Sequence, residues 1–440
     1  MSTPSAPHPQ AGPGDGRALT RAAIVVAIFA LLAGLARLVQ DAAIAWRHGA
    51  GAEVDAYWFV INLVSWPVAV ALSTLTFFVA PAEAGLRHDA SALRRFRSEL
   101  LGWVLVVAAL AWPAAGWALQ ALLSSRLTGL GTESAALARD GARLAAVLVP
   151  LGLIGALLSA WLISSAHRVV TLLEGVAPLC LAALLIAMPG MVLYWGTAAG
   201  VGLQVLAIGA VLLLAGGLPR PRLGFTSTVW RTAWRGGAAM LAGQIVFSLV
   251  PLVDQFFAAR LGEGTLAALG YANRLLLGVQ GLAGVALQRA SLPLLSQLAS
   301  QSPAQARQTS LRWAAWAGGA GALMAAAVVA LADPVVSLLF ERGSFSAQDR
   351  QDVVMLLRWG SLQLPIFLAG LVLVTALASM RAGALLMWLA ALGFGVKLLM
   401  NLLLVSGFGA VGIQFATALM YLCTMAATWF ALSRHRARPG

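Results

Sequence analysis

The residues able to do chemistry in this chain are few, and almost all of them interrupt apolar runs. Arg37 and Asp41 stand four apart in one such run, a spacing that stacks them on one helix face and lets them pair. Asp55, Asp254 and Arg274 lie in or beside three further runs. Asp55 follows a Gly-rich turn and reads either as a binding carboxylate or as a helix cap. Lys397 stands apart: it is the sole lysine of the chain, in the middle of GFGVKLLMNLLL. An ammonium facing hydrocarbon there would be very costly, so Lys397 must face a cavity or a carboxylate. Asn401, four residues on, shares its face. Glu174 and Arg289 sit near the ends of their runs and are expected at an interface.

These residue types bind or neutralise charge; they do not assemble a catalyst. No Ser/His/Asp arrangement occupies a loop, and none of the five histidines (His8, His48, His88, His167, His435) is central to an apolar run. Cys180 and Cys423 both lie inside apolar runs, which excludes a disulfide framework and a cysteine metal cage. No Gly-rich stretch follows a strand and carries Gly-Lys-Ser/Thr, so a phosphate loop is excluded too. The expectation is a transporter, not an enzyme, with no cofactor, no metal and no nucleic-acid partner.

The elements that must hold such residues are membrane spans. Of 440 residues, 60% are hydrophobic and only 10% charged, against about 25% charged in a soluble domain. Polar residues too scarce to coat the outside leave a multi-pass membrane protein as the consistent class. Apolar segments of spanning length recur at 20–47, 55–80, 100–123, 141–165, 170–190, 194–216, 235–260, 265–296, 313–339, 351–380, 385–405 and 410–432. This predicts an all-α fold of about twelve spans. Residues 1–16 read as a disordered tail, 17–219 and 220–433 as two six-helix bundles, and 434–440 as a basic tail. The first run is too long for a cleavable leader.

The net charge of +13 comes largely from arginines in short connections. With the N-terminus inside, Arg17, Arg21, Arg87, Arg94, Arg95, Arg97, Arg168, Arg220, Arg222, Arg231, Arg307, Arg312, Arg381, Arg434, Arg436 and Arg438 fall on one side. The other side holds little beyond Arg126, Arg139, Arg342 and Arg350. The positive-inside rule then puts both termini in the cytoplasm of an inner-membrane protein.

An internal repeat sharpens this picture. Asp41, Arg47, Gly49 and Gly51 match Asp254, Arg260, Gly262 and Gly264 at one offset of 213 (254 − 41). Pro81 matches Pro293; Arg143, Pro150 and Gly155 match Arg358, Pro365 and Gly370; Arg168 matches Arg381. Rare residue types holding register across separate regions predict two halves of six helices. With an even number in each, the repeat is parallel, about an axis along the membrane normal.

The run DAAIAWRHGAGAEVDAYW (41–58) resembles the first loop of the MurJ/MviN lipid II flippase family, within the multidrug/oligosaccharidyl-lipid/polysaccharide exporter superfamily. The stretch 253–300, VDQFFAARLGEGTLAALGYANRLLLGVQGLAGVALQRASLPLLSQLAS, and LLFERGSFSAQD (338–349) are similar to further parts of it. The resemblance implies two bundles around a cationic cavity and the flipping of an undecaprenyl-pyrophosphate-linked saccharide. It implies a substrate site at Arg37, Asp41, Asp55 and Arg274. It also implies an ion site at Asp254, Lys397, Asn401 and Thr417, where Lys397 could fill the cation's place or line the cavity toward phosphate. Coupling to sodium, protons or the membrane potential stays open at this point. Expected partners are the lipid-linked glycan, membrane lipids and envelope-biosynthesis proteins. The sequence departs from the family at Gly34, Gln40 and Asn273, where charged residues are usual, and many members add two helices after the twelfth. The alternatives are a polysaccharide repeat-unit flippase, a drug/cation antiporter and a transport-dead scaffold. A polyprenyl-glycan polymerase or ligase usually carries a large outer loop, which this chain lacks.

Overall fold

The structure, a computed structural model, describes residues 13–86, 88–125, 127–165, 169–188, 190, 193–227, 229–230, 245, 248–380 and 383–434. Several sequence readings lie outside those residues: tail residues 1–12 and 435–440, the repeat pair Arg168 and Arg381, and His8, His167 and His435. The loop arginines Arg87, Arg126, Arg231, Arg436 and Arg438 lie outside them as well, and so does most of the seventh span before Val250.

Among the described residues there are helices and no strands. The N-terminal set is α1 (Pro13–His48), α2 (Ala52–Leu86), α3 (Ala90–Ser124), α4 (Thr132–Ala145), α5 (Leu148–Ser164), α6 (Val169–Leu173), α7 (Val176–Ala187) and α8 (Leu193–Leu214). The C-terminal set is α9 (Val250–Ala258), α10 (Thr265–Gln301), α11 (Pro303–Phe340), α12 (Ala347–Gly360), α13 (Gln363–Ser379) and α14 (Gly383–Arg434). Among the described residues eight helices are long and apolar enough to cross a membrane, or up to ten when the bent pairs α4–α5 and α12–α13 each count as one span. Gly409 (φ 55°, ψ −137°) breaks α14 into two arms, so the last helix holds both of the final two predicted spans.

Local chemistry fixes the starts. Asp89 caps α3 through Ser91 and Ala92, and Ser346 and Asp349 form a reciprocal capping box at α12. The two sets repeat in register. Ala52 and Thr265 open α2 and α10, and Ala90 and Pro303 open α3 and α11, 213 residues apart in each case (265 − 52, 303 − 90). α4–α5 bends by 49° and α12–α13 by 40°. In each the last basic residue before the bend is the matched one, Arg143 or Arg358, and Pro150 and Pro365 sit just beyond it.

Packing divides the molecule into two halves that meet at one end. Near the α1–α2 turn, a single core draws on both sets, with Ile44, Tyr57 and Phe59 beside Tyr271, Phe340 and Phe345. At the opposite end each set has its own core, around Phe96, Trp161 and Leu212 in one and Leu295, Val372 and Leu432 in the other. The halves are therefore joined at the first end and packed independently at the other.

Candidate functional site

Asp41 on α1, Trp58 on α2 and Arg274 on α10 converge at the seam between the halves. Asp41 is buried, and its Oδ1 lies 3.3 Å from Arg274 Nη1. The guanidinium carbon sits 3.3 Å from the centroid of the Trp58 indole, an arrangement in which the ring's negative face attracts the cation. Tyr57 supports this platform, its ring 4.7 Å from Trp58 and its hydroxyl 2.7 Å from Thr197 Oγ1 on α8. Two N–H groups remain without a hydrogen-bond partner: Arg274 Nη1 and Trp58 Nε1, both buried. Each can only donate. The seam thus presents a guanidinium that Asp41 neutralises without a hydrogen bond at Nη1, beside one vacant indole N–H, a set suited to an anionic oxygen.

Arg37 does not join this cluster. The expected pairing with Asp41 is replaced by an ion pair with Glu174 at 2.9 Å, in the turn between α6 and α7, with both side chains largely exposed. The four-residue spacing does put Arg37 on the right helix, but α1 packs along α7, and Glu174 reaches it without the desolvation that Asp41 would impose.

Asp55 is a cap, though not of its own helix. It sits in the first turn of α2, buried, and accepts from Gly264 N at 2.6 Å and Ala267 N at 2.7 Å. Its carboxylate closes the N-terminus of α10 in the other half, where unpaired N–H groups and the helix dipole favour negative charge. Gly264 has φ +82°, and a Cβ there would strike the Ala50 carbonyl. Further bonds cross at the same end: Tyr271 Oη donates to Gly49 O at 3.0 Å, and Ser344 donates from N to Trp46 O and from Oγ to Arg47 O, both at 2.9 Å. Gln255 Nε2 donates to Phe59 O at 2.9 Å. Together they form a latch.

The second cluster lies wholly in the C-terminal set. Lys397 and Asn401, on the first arm of α14, are fully buried. Lys397 Nζ lies 2.8 Å from Asp254 Oδ1 on α9, 2.9 Å from Ile413 O and 2.6 Å from Thr417 Oγ1 on the second arm. Its three protons therefore have three acceptors. Asn401 Nδ2 donates to Asp254 Oδ1 at 2.9 Å, while Asn401 Oδ1 is buried without a partner.

Sequence reasoning had missed Trp58, which it treated as part of a run and not as a cation platform. The available signal was a tryptophan in the second turn of α2, three residues after Asp55. It had missed Gln414 as well, whose Nε2 donates to Asn273 Oδ1 at 2.8 Å beside Arg274. Among the described residues no group of three or more His, Cys, Asp or Glu side chains could hold a metal ion.

The chain is similar to several known proteins. The family described as lipid II flippase MurJ matches residues 48–438. The probable lipid II flippase MurJ of Bdellovibrio bacteriovorus is 30% identical over 177 residues, 38% of this chain and 32% of that one. The match thus spans about a third of the length of that relative. Among solved structures, a lipid II flippase MurJ in an inward closed conformation superposes with TM-score 0.77 at 15% identity, over 93% of this chain and 87% of the other. An inward-facing multidrug resistance MATE family transporter gives 0.73 at 13% identity, over 94% and 100%. An outward-facing one gives 0.61 at 14% identity, over 94% and 97%. The structural likenesses establish the exporter-superfamily fold, and the match over residues 48–438 establishes the rest: this multi-pass membrane protein belongs to the MurJ lipid II flippase family.

Proposed function

We propose that the protein flips an undecaprenyl-pyrophosphate-linked saccharide, lipid II or a related glycan-lipid, from the cytoplasmic to the outer face of the inner membrane. One observation carries this reading: at the seam the Arg274 guanidinium, ion-paired with Asp41 but with Nη1 left without a hydrogen bond, lies against Trp58, whose Nε1 is vacant. A pyrophosphate oxygen would satisfy both and would compete with Asp41 for the cation, in surroundings where charge-assisted bonds are strong. The relative of Bdellovibrio bacteriovorus and the family match support the same cargo class. The arginine distribution supports both termini lying in the cytoplasm.

Transport would proceed by alternating access. The latch of Asp55, Tyr271 and Ser344 holds one end shut while the halves pack independently at the other. Cargo would enter between the separate cores, exchange its phosphate for Asp41 on Arg274, and leave when the latch opens. A drug/cation antiporter would need a carboxylate free to hold a cation. Here Asp41 and Asp254 are each already paired with a basic side chain. Because Lys397 occupies the cation's place beside Asp254, the driving force would be the membrane potential or protons, not sodium.

The test is reconstitution in proteoliposomes with a fluorescent lipid-linked oligosaccharide. Arg274→Ala should abolish flipping while the purified variant stays monodisperse, since truncation removes a desolvated partner of the phosphate. Flipping by Arg274→Ala at the wild-type rate would overturn the assignment.

A further inference from the structure

A groove of about 590 Å³ lies between the two arms of α14, far from the Arg274 seam and near the end of the last helix. It is lined by Trp388, Leu389 and Leu392 on one arm and Ala427, Phe430 and Arg434 on the other. Its rim is exposed, Trp388 to 73%, Phe430 to 48% and Leu392 to 44%, while Leu389 forms a buried floor. Both arms belong to a helix long and apolar enough to span a bilayer, so hydrocarbon is the medium that meets this flank. The groove is not uniformly apolar, however. Arg434 closes one end of it, with its guanidinium carbon 3.9 Å from the Phe430 ring centroid. Among the described residues no carboxylate pairs with Arg434, and the sequence goes on to Arg436 and Arg438.

We propose that this groove is a binding site for an anionic phospholipid of the surrounding bilayer, one acyl chain between Trp388 and Phe430 and the phosphate on Arg434. The two characters of the groove match the two parts of such a lipid. An apolar slot takes any acyl chain, while a cation fixed at its mouth selects the headgroup. Stacking on Phe430 holds the guanidinium in place, so less side-chain freedom is lost when phosphate binds. Basic pockets at the edge of spanning helices commonly recognise anionic headgroups in this way. The groove is separate from the cargo cluster, so lipid bound there would brace the two arms of α14 against each other. Those arms carry Lys397 and Thr417, the two sides of the Asp254 cluster.

The experiment reads thermal stability and leaves transport aside, so its failure would not touch the flippase reading. Purified protein in detergent is titrated with phosphatidylglycerol or phosphatidylcholine of matched chains, and with inorganic phosphate alone. Phosphatidylglycerol should raise Tm by several degrees more than phosphatidylcholine, and inorganic phosphate should not raise it. Arg434→Gln, at an exposed helix end, should lose the preference while keeping the lipid-free Tm. Ala427→Trp, which fills the slot, should lose it as well. Equal shifts with both lipids, or a preference that survives Arg434→Gln, would overturn the proposal. So would a preference lost only in the Arg436→Gln/Arg438→Gln double variant, which would assign it to the basic tail. Dimerisation blocked by Ala427→Trp would reassign the groove to a second copy. A stronger shift with undecaprenyl phosphate at equal concentration would reassign it to the cargo's tail.

Discussion

A buried ammonium is tolerable only when each of its protons is spoken for, and Lys397 meets that condition through Asp254, Ile413 and Thr417. The same oxygens, with the unpartnered Asn401 Oδ1, would make a cation cage if Nζ were withdrawn. Two outcomes are expected. Wild-type flipping in proteoliposomes should be unchanged when sodium is replaced by choline; a collapse in choline would refute it. Lys397→Ala should lower stability by about 3–5 kcal/mol, the usual cost of leaving a buried charge unpaired. Sodium, but not choline, should restore part of the lost Tm by refilling the cage. If the variant is too unstable to purify, Asp254→Asn/Lys397→Met removes both charges and should recover most of the stability. Its failure to do so would show that the pair is not what holds α9 to α14. Lys397 could be singled out in the sequence because one lysine amid 28 arginines (29 − 1) stands in a span centre. The partner of Arg37 could not, because nothing along the chain says that α1 lies against the α6–α7 turn.

At the scale of elements, helices at repeat-related places do unlike jobs. α2 and α10 begin in register, yet the carboxylate in the first turn of α2 caps α10. Removing it should loosen the latch without unfolding either helix. Asp55→Ala loses a charged cap and two charge-assisted bonds, a loss of about 1–3 kcal/mol. In hydrogen exchange, the amides of Gly264 and Ala267 should lose protection, while those of the Trp161 and Val372 cores keep theirs. Unchanged exchange at Gly264 would mean that the latch is held by other contacts. A second asymmetry lies after α8, where Glu99 of α3 accepts from Thr226 N and Oγ1, Ser227 N and Trp230 Nε1. Trp103 stacks on Phe225 and donates to Gly224 O. The connection between the halves is thus strapped to α3; the repeat counterpart of Glu99 is Arg312, which can accept no such bonds. Most of the spans and the repeat were legible from apolar runs and from rare residues in register, whereas the bends of α4–α5 and α12–α13 were not. Asp55 was legible as a cap but not as a cap across the seam, because a cap's partner depends on how the halves dock. Glu99 gave no signal, since a carboxylate at the start of a span reads as interfacial.

For the molecule as a whole, the two repeat-related aspartates divide what moves from what does not. Asp254 and Lys397 belong to the same half, so their pair survives any motion between halves. Asp41 borrows its cation from across the seam, and the position in its own half that matches Lys397 is Leu184 (397 − 213), which carries no charge. Opening the seam therefore separates Asp41 from Arg274 unless something replaces one of them. In the proposed cycle, a cargo phosphate would replace Asp41 on the guanidinium. Without cargo, Asp41 itself would serve as the anion when the halves close again, since Arg274 would otherwise be left half-buried and unpaired. In this scheme Asp41 stands in for the cargo during the empty return. Asp41→Asn keeps the shape and removes the charge, so it should spare one passage of cargo and slow the return. With protein in excess over a fluorescent lipid-linked substrate, the single-passage rate should stay near wild type. With substrate in excess, the steady rate should fall tenfold or more, a factor that corresponds to about 1.4 kcal/mol or above on the return barrier. Equal loss in both regimes would place Asp41 in cargo binding instead, and no loss in either would remove it from the cycle.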